Sequence, residues 1–295
     1  MSVYKRGSTG EQVKQIQKAL GIKADGIFGK GTEDAVKKFQ KENGLYADGI
    51  VGKKTLEKLM SNMDTDLTTI VRPGSLLDIK NYYLPKNEYI NGKYVNDYII
   101  LHHTAGWDDP KQVIDSWGRD SLGRVATEFV IGGQRCTDGR NIYDGQIYRS
   151  YPQGCQAYHI GSSGSSYMNL HSVGIELCNM GWVSNNRTYT NALVKESQIV
   201  RLKESFRGYV AWHKYSDKQL QSLRELLLYI SKRDNIDLHK GIYQWIKLEG
   251  SMKAFDFHQD AYYGKTKGLI THANIRKDKY DVSPQPELID MILTL

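Results

Sequence analysis

Apolar residues recur every three or four positions in three short segments of the first sixty residues. This spacing places side chains on one face of an α-helix. The segments contain Val13, Ile16 and Leu20, then Val36 and Phe39, then Leu56 and Leu59. The pattern predicts a small all-α domain of three helices around one core.

Beyond about residue 95, short apolar runs alternate with segments of helical period. Such alternation favours a mainly parallel sheet covered by helices. The predicted strands are 98–103, 129–131, 144–148, 172–178 and 268–272, and the predicted helices start near Pro110 and Ser216. We therefore expect a mixed α/β fold, with a mainly parallel central sheet flanked by helices and a cleft at the strand ends.

A change of pattern separates these two regions. Residues 61–69 are polar and lack the helical period, and Pro73-Gly74 ends the stretch. Pro and Gly are typical of loops and turns. We expect residues 1–62 to form the first domain, 63–76 a linker and 77–295 a second domain.

One loop motif occurs twice in the first domain. The stretch Asp25-Gly-Ile-Phe-Gly-Lys-Gly-Thr32 recurs as Asp48-Gly-Ile-Val-Gly-Lys-Lys-Thr55. Asp-Gly is typical of a tight turn, and the apolar pair can fill a core. We expect Thr32 and Thr55 to cap the N-termini of the helices that follow.

Two of the predicted strands end in histidine. The stretch Tyr98-Ile-Ile-Leu-His-His-Thr-Ala-Gly106 contains His102 and His103, and Gly268-Leu-Ile-Thr-His272 contains the other. Side chains alternate along a strand, so only one of the first two histidines faces a given site. That residue is a candidate ligand or acid–base group, although such a pair also occurs in purely structural roles.

A carboxylate lies inside another predicted strand, Ser172-Val-Gly-Ile-Glu-Leu-Cys178. Val173, Ile175 and Leu177 share the core face, so Glu176 faces the opposite side. A buried carboxylate without a partner is costly. Glu176 is therefore either a salt-bridged structural residue or a catalytic residue in a polar cleft.

The strand-end histidines and the last loop contain the ligand types of a zinc site. Two imidazoles and one carboxylate, here His102, His272 and Asp281, leave a fourth zinc position for water. Zinc lowers the pKa of that water toward neutrality. Glu176 is a candidate to take its proton, and Lys279 is a candidate to stabilise an oxyanion.

Other residues compete for some of these roles. His258 is the best alternative ligand, and Cys178 is a weaker one because a small buried residue suits its strand. We expect His103 to pack or to hydrogen-bond behind a ligand, which fixes ligand orientation.

Residues 7–60 resemble the peptidoglycan-binding domain 1 family. Both Asp-Gly loops match in order, and Ala35-Val-Lys-Lys-Phe-Gln40 matches the family's Ala-Val-x-x-Phe-Gln segment. The resemblance implies a module whose partner is bacterial peptidoglycan. The repeated Asp and Gly residues are expected to form turns rather than to contact ligand.

The chain from about residue 95 to its end resembles the type 2 N-acetylmuramoyl-L-alanine amidases, a zinc amidase family. The matching segments are Ile-Leu-His-His-Thr-Ala, Gly-Ile-Glu and Thr-His-x(6)-Lys-x-Asp, in that order. The resemblance implies His102, His272 and Asp281 as zinc ligands. It implies Glu176 as the acid–base residue and Lys279 as the residue that polarises the amide carbonyl.

The same resemblance implies substrate contacts. Tyr158-His-Ile-Gly161 corresponds to a Trp-His-x-Gly segment of the groove, which makes Tyr158 and His159 candidate substrate-binding residues. Trp107 is a third candidate, as a wall for sugar or peptide, although core packing explains such an aromatic equally well. Thr127-Glu-Phe129 departs from the family's frequent Tyr-His-Phe.

The amino-acid composition limits the classes of molecule that the protein is expected to bind. The net charge of +7 favours anionic partners such as cell-wall polymers, and no motif supports nucleic acid. Three cysteines without CxxC spacing argue against a disulfide framework. No apolar run is long enough to predict stable membrane insertion.

Both resemblances concern one polymer, so we expect a zinc-dependent hydrolase of the amide between N-acetylmuramic acid and L-alanine. The first residues lack the apolar segment of a secretory signal. We therefore expect a monomeric phage endolysin, made in the host cytoplasm and acting on the wall after release. The alternatives are a non-catalytic peptidoglycan sensor, a zinc peptidase of the stem peptide and a cytoplasmic recycling amidase.

Overall fold

The computed structural model describes residues 3–52, 54–55, 58–59, 71–72, 75–121, 123–138, 141–161 and 165–295. The chain divides into two compact units, Met1–Asp78 and Ile79–Leu295. None of the helices in these described ranges is long and apolar enough to cross a membrane.

The first unit is built on two helices, α1 (Glu11–Ala19) and α2 (Lys30–Glu42). Residues 54–55 and 58–59 are also helical. The predicted third helix includes Leu56, which lies outside the described residues. The buried core of the unit consists of Val13, Ile16, Phe28, Val36, Val51 and Leu59. Helix faces and repeated loops therefore fill one common core, as the apolar pattern predicts.

Each repeated loop closes around one buried glutamine. The Gln17 side-chain nitrogen lies 2.8 Å from Asp25 Oδ1 and 2.9 Å from Thr32 Oγ1, and its oxygen accepts from the Gly26 amide at 2.9 Å. Gln40 repeats this arrangement in the second loop, with contacts of 2.8 to 3.0 Å to Asp48, Gly49 and Thr55. The repeat in sequence is thus a repeat of hydrogen bonds.

The prediction that Thr32 caps a helix is wrong. Helix α2 begins at Lys30, and Gly29 is its N-cap without a side-chain hydrogen bond. Thr32 lies in the first turn, and its hydroxyl accepts from Gln17 and faces the Ile27 carbonyl at 3.4 Å. The hydroxyl serves the loop glutamine instead of the helix terminus.

Little of the predicted linker is described. Residues 63–70 and 73–74 lie outside the described part of the chain, whereas β1 (Val71–Arg72) and β2 (Ser75–Leu76) pair antiparallel. The domain limits 1–62 and 77–295 stay a prediction.

A six-stranded sheet forms the centre of the second unit. Its strands are β3 (Ile79–Asn81), β4 (Tyr98–His103), β5 (Phe129–Ile131), β6 (Ile147–Arg149), β7 (Ser172–Leu177) and β12 (Gly268–Thr271). The spatial order is β12-β4-β7-β5-β6-β3, and every pairing is parallel except β5 with β6. The predicted mixed α/β fold with a mainly parallel sheet is confirmed.

Helices accompany this sheet along the chain. They are α3 (Pro110–Trp117), α4 (Ser166–Leu170), α5 (Asp217–Asp234), α6 (Ile242–Glu249), α7 (Ser251–Ala254), α8 (Gln259–Tyr262), α9 (His272–Ile275) and α10 (Pro286–Leu293). Asp109 caps α3 by accepting from the Lys111 amide at 2.9 Å, and Ser216 caps α5 by accepting from the Gln219 amide at 3.0 Å. Both helices thus begin where they were predicted, near Pro110 and Ser216.

Residues 181–215 form two hairpins outside the central sheet. Strands β8 (Val183–Ser184) and β9 (Arg187–Thr188) pair antiparallel, as do β10 (Ile199–Phe206) and β11 (Tyr209–His213). Arg207, between β10 and β11, donates to the carbonyls of Ala273 at 3.1 Å and Lys277 at 2.8 Å. The β10–β11 hairpin therefore supports the segment after β12.

The departure at Thr127-Glu-Phe129 has a structural role. Glu128 is buried and accepts from both terminal nitrogens of Arg233, at 2.5 and 2.9 Å. Arg149 lies beside the same carboxylate at 3.6 Å. This ion pair joins the residue that precedes β5 to α5, which accounts for a charged residue at this buried position.

Candidate metal centre and active site

The register of the sheet brings the predicted site residues to one edge. His102 of β4 lies opposite Glu176 of β7, and Leu101 lies opposite Thr271 of β12. His272 directly follows Thr271, so it comes next to His102. Ligands of open α/β sheets bind at this carboxyl edge.

Three ligand atoms converge there. The Nδ1 atoms of His102 and His272 are 3.1 Å apart. Asp281 Oδ2 lies 3.0 Å from His272 Nδ1 and 3.5 Å from His102 Nδ1. In the described ranges, these residues are the one group of three whose ligand atoms could hold a metal ion.

The spacing of these atoms fits a tetrahedral metal ion. Zinc bonds of about 2.0–2.2 Å place neighbouring ligand atoms about 3.3–3.6 Å apart. The measured separations of 3.0 to 3.5 Å are close to that range. The two Nδ1 atoms face each other, and the carboxylate lies within 3.5 Å of both. Together these three atoms can offer three lone pairs to one cation.

Electrostatics favours the ligand forms of His102 and Asp281. Burial lowers the pKa of His102 to about 4, and the nearby His272 ring adds to this shift. Burial alone would raise the pKa of Asp281, but the His272 and His102 rings outweigh it and hold that pKa well below its usual range. A neutral imidazole and an ionised carboxylate are the forms that bind metal.

A helix start positions His272. The prediction ends the last strand at His272, but β12 ends at Thr271 and His272 opens α9. Thr271 and Asn274 form a capping box, with Asn274 Oδ1 accepting from the Thr271 amide at 2.8 Å. This reciprocal cap turns the chain at the sheet edge.

Backbone and side-chain hydrogen bonds position Asp281. The Ala273 amide donates to the Asp281 carbonyl at 2.8 Å, which joins the loop to α9. Two residues further on, the Ser283 amide donates to the Tyr215 hydroxyl at 3.3 Å. His103 Nδ1 lies 2.9 Å from the same hydroxyl. His103 thus supports the loop of Asp281 and points away from His102.

Glu176 and Lys279 lie beside the cluster. Glu176 is partly exposed. Burial raises its pKa well above the usual range, the charge of Asp281 adds to this, and the charge of Lys279 opposes it. The charges of Asp281 and Lys279 thus act on the pKa of Glu176 in opposite directions.

The structure places His159 behind His102. Its side chain is buried, with Nδ1 2.9 Å from His102 Nε2 and Nε2 2.8 Å from Ser172 Oγ. Tyr158, by contrast, is 37% exposed. The two neighbours in sequence thus face different surroundings, although both were predicted to contact substrate.

Trp107 lies at a separate depression. Its side chain is 50% exposed. It lines a pocket of about 400 Å³ with residues that follow β4 and β7 and with His213. Among the described residues, this lining includes none of the three candidate ligands.

The alternative ligands have other surroundings. His258 stacks on Trp245 with ring centroids 3.7 Å apart, and its Nε2 lies 3.1 Å from the Lys253 carbonyl. Cys178 is buried within an apolar cluster. No role was predicted for Ser172. It lies on the same face of β7 as Glu176, and the alternation of side chains along the strand is the signal that could have identified it.

Comparison with known families agrees with this geometry. Residues 91–281 match the N-acetylmuramoyl-L-alanine amidase family, and residues 9–59 match the family described as a peptidoglycan binding domain. Because the first match spans more than half of the chain, the protein belongs to the N-acetylmuramoyl-L-alanine amidase family. Membership supports peptidoglycan amidase activity, with peptidoglycan as the substrate partner. No curated protein matches the chain significantly.

Several solved structures are similar to the chain. The N-acetylmuramoyl-L-alanine amidase LysC from Clostridium intestinale is 15% identical, with 74% of this chain and 98% of that chain covered and a TM-score of 0.42. PlyL is 10% identical, with 71% and 87% covered and a TM-score of 0.37. The SleB N-terminal domain is 39% identical, with 20% and 90% covered and a TM-score of 0.20.

Proposed function

We propose that this protein hydrolyses the amide bond between N-acetylmuramic acid and L-alanine with a zinc ion held by His102, His272 and Asp281. The supporting observation is the convergence of their three ligand atoms, within 3.5 Å of one another, at the sheet edge that carries Glu176. When bound, zinc polarises the amide carbonyl and lowers the pKa of a water molecule toward neutrality.

Glu176 acts as the acid–base residue in this proposal. Its carboxylate takes the proton of the attacking water and delivers it to the departing amine of L-alanine. A carboxyl group whose pKa is raised above the usual range suits both roles near neutral pH.

Lys279 stabilises negative charge on the carbonyl oxygen as water adds. Its ammonium acts electrostatically on Glu176 and His102, which supports a position at the reaction centre. A fixed positive charge is most valuable where charge develops in the transition state.

The exposed rings of Trp107 and Tyr158 are proposed substrate contacts. His159 acts differently in this proposal, because its ring is buried against His102.

The first unit tethers the enzyme to its polymer. The match of residues 9–59 to a peptidoglycan binding domain family and the net charge of +7 support adhesion to an anionic wall. We propose a monomeric phage endolysin with a wall-binding domain in residues 1–62. It is made in the host cytoplasm and reaches the wall once the membrane is breached.

Analysis of the products tests this proposal. Purified peptidoglycan is digested with the protein, with and without a chelator, and the new ends are identified by mass spectrometry. We expect free stem peptides beginning with L-alanine and intact glycan strands. Chelator should abolish them and added zinc should restore them.

Two variants complete the experiment. His272→Ala should be inactive, whereas His239→Ala, at an exposed position, should cleave like the wild type. New reducing sugar ends would refute the proposed reaction, and cuts within the stem peptide would favour the peptidase. Wall binding without products would favour the sensor.

A further inference from the structure

We propose that His159 and Ser172 are positioning residues that hold His102 in the tautomer whose Nδ1 can bind the metal. This inference rests on the proposed zinc site and assigns a task to two residues behind it. The observation that carries it is a continuous line of hydrogen bonds from the Met168 carbonyl through Ser172 and His159 to His102.

The Met168 carbonyl determines which atom donates in each hydrogen bond of this line. The Ser172 hydroxyl donates its one hydrogen to the Met168 carbonyl, which can only accept. Ser172 Oγ can therefore only accept from His159 Nε2, 2.8 Å away. His159 must carry its proton on Nε2.

The same logic fixes the next ring. A neutral imidazole protonated on Nε2 has a bare Nδ1. His159 Nδ1 therefore accepts from His102 Nε2 at 2.9 Å, so His102 carries its proton on Nε2 as well. The bare Nδ1 of His102 then faces His272 Nδ1 at 3.1 Å and Asp281 Oδ2 at 3.5 Å.

Packing leaves little freedom in this line. Ser172 is fully buried, and His102 and His159 are 3% and 8% exposed. A Cβ atom at position 174 would lie 3.0 Å from His159 Cγ, so Gly174 provides room for the ring. Asn169 Oδ1 also accepts from the His159 amide at 2.9 Å. Ring and backbone of His159 are thus both held.

The chemistry of the acceptor matters too. A carboxylate in place of His159 would orient His102 equally well but would add negative charge beside the metal site. A neutral imidazole fixes orientation without that charge, so Asp281 remains the one charged ligand of the cluster. Nε2 of His272, in contrast, is buried and has no hydrogen-bond partner in the described part of the structure. The line of hydrogen bonds therefore acts on His102 and leaves the second histidine ligand, His272, unsupported in this way.

Three variants separate this role from simple packing. His159→Leu fills the space with an apolar side chain and removes the hydrogen-bond acceptor for His102. His159→Asn retains an acceptor near the position of Nδ1. Ser172→Ala leaves His159 intact but removes the acceptor that keeps the His159 proton on Nε2. His239→Leu, at an exposed histidine, is the matched control.

Zinc affinity of the full-length protein, measured by competition with a chromogenic chelator, is the first readout. Loss of such a partner typically costs about 10–100-fold in metal affinity. We expect a loss of that size for His159→Leu, a smaller loss for Ser172→Ala, and near wild-type affinity for His159→Asn and His239→Leu.

The second readout is the tautomer of His102 in the zinc-free protein, from nitrogen-15 NMR of the imidazoles. We expect Nε2–H in the wild type and a mixture of tautomers in His159→Leu and Ser172→Ala. A purely structural role would lower the melting temperature without changing this signature.

The outcomes are distinguishable. A wild type that does not bind zinc would refute the proposed function and this inference together. Tight zinc binding by the wild type, with equal affinity in His159→Leu and Ser172→Ala, would refute the positioning role alone. Nδ1–H on His102 in the zinc-free wild type would also overturn it.

Discussion

His102 and Glu176 lie opposite each other on β4 and β7, yet their pKa values shift in opposite directions. Burial lowers the pKa of His102 to about 4 and raises that of Glu176 well above its usual range. Both shifts have the same main cause, because burial disfavours whichever form is charged. Burial therefore favours the uncharged form of each side chain. This form suits His102 as a metal ligand and Glu176 as a proton carrier.

Glu176→Gln should separate chemistry from metal binding. Glutamine keeps the size of the side chain but cannot take a proton from water. We expect kcat to fall by at least about 100-fold, the usual minimum for loss of an acid–base residue. Zinc affinity should not change, because Glu176 is not among the three converging ligands.

The measurement is the rate of release of stem peptide at saturating zinc, together with a chelator titration. Glu204→Gln, at an exposed position, is the matched control. A Glu176→Gln enzyme with more than a tenth of wild-type kcat would remove Glu176 from the mechanism.

His213 predicts a specific pH dependence of stability. It is 1% exposed, and burial, with a smaller contribution from His103, lowers its pKa from 6.5 to about 4. The folded protein favours the neutral form of His213. The contribution of this residue to the free energy of unfolding is therefore complete above pH 6.5 and is lost as the pH falls toward 4. Between pH 7 and pH 5 this residue should account for about 2 kcal/mol of lost unfolding free energy.

Urea unfolding of the wild type and of His213→Phe at both pH values measures this term. The variant should lose less stability between pH 7 and pH 5 than the wild type, whatever its stability at pH 7. Parallel losses in the two proteins would show that His213 does not titrate in this way.

Some of the site could be predicted from single residues. His102, His272 and Asp281 were chosen because two histidines end apolar runs and a carboxylate follows, and the structure brings them together. The position of the His159 ring could not be predicted. It depends on a loop conformation and on the space at Gly174, neither of which has a periodic signal.

At the scale of elements, the junction of β12 and α9 shows how a short motif overrides an apolar pattern. The run from Gly268 predicts a strand through His272, but the Thr271–Asn274 capping box ends it one residue earlier. Apolar periodicity predicts that an element exists, whereas local side-chain hydrogen bonds decide where it ends. The prediction that Thr32 caps a helix was wrong for a similar reason, because the Thr32 hydroxyl accepts a hydrogen bond from Gln17.

The two loop glutamines should make similar contributions to stability. Replacing Gln17 with alanine leaves the Gly26 amide and the Asp25 carboxylate without this partner. Unmet hydrogen-bonding groups of this kind cost about 1–3 kcal/mol. Gln40→Ala should have an effect of the same size, because its contacts repeat those of Gln17.

Denaturant unfolding of the full chain, with the exposed Lys38→Ala as control, measures both losses. Hydrogen exchange then assigns the loss to the first unit. Variants as stable as Lys38→Ala would mean that the repeat has no energetic role.

At the scale of the whole molecule, the chain joins two compact units with related family matches. A tether raises the local concentration of substrate without changing the chemistry of the catalytic site. The fold class of the second unit could be predicted from alternating strands and helices. The separate hairpins of residues 181–215 could not, because that stretch is polar and aromatic without a clear period.

Removal of residues 1–78 tests the tether. The remaining unit should release peptide from a soluble muramyl peptide at the wild-type rate. On intact walls at low enzyme concentration its rate should fall by at least about tenfold, since avidity is lost. Equal rates on intact walls would argue against a wall-binding role for the first unit.

The central claim is that one zinc ion binds three named atoms at the sheet edge. A crystal structure of the zinc-loaded protein, with anomalous data at the zinc edge, tests it most directly. We expect one strong peak about 2.0–2.2 Å from His102 Nδ1, His272 Nδ1 and Asp281 Oδ2. A peak on other atoms, or no peak at this edge in a crystal that contains zinc elsewhere, would contradict the account.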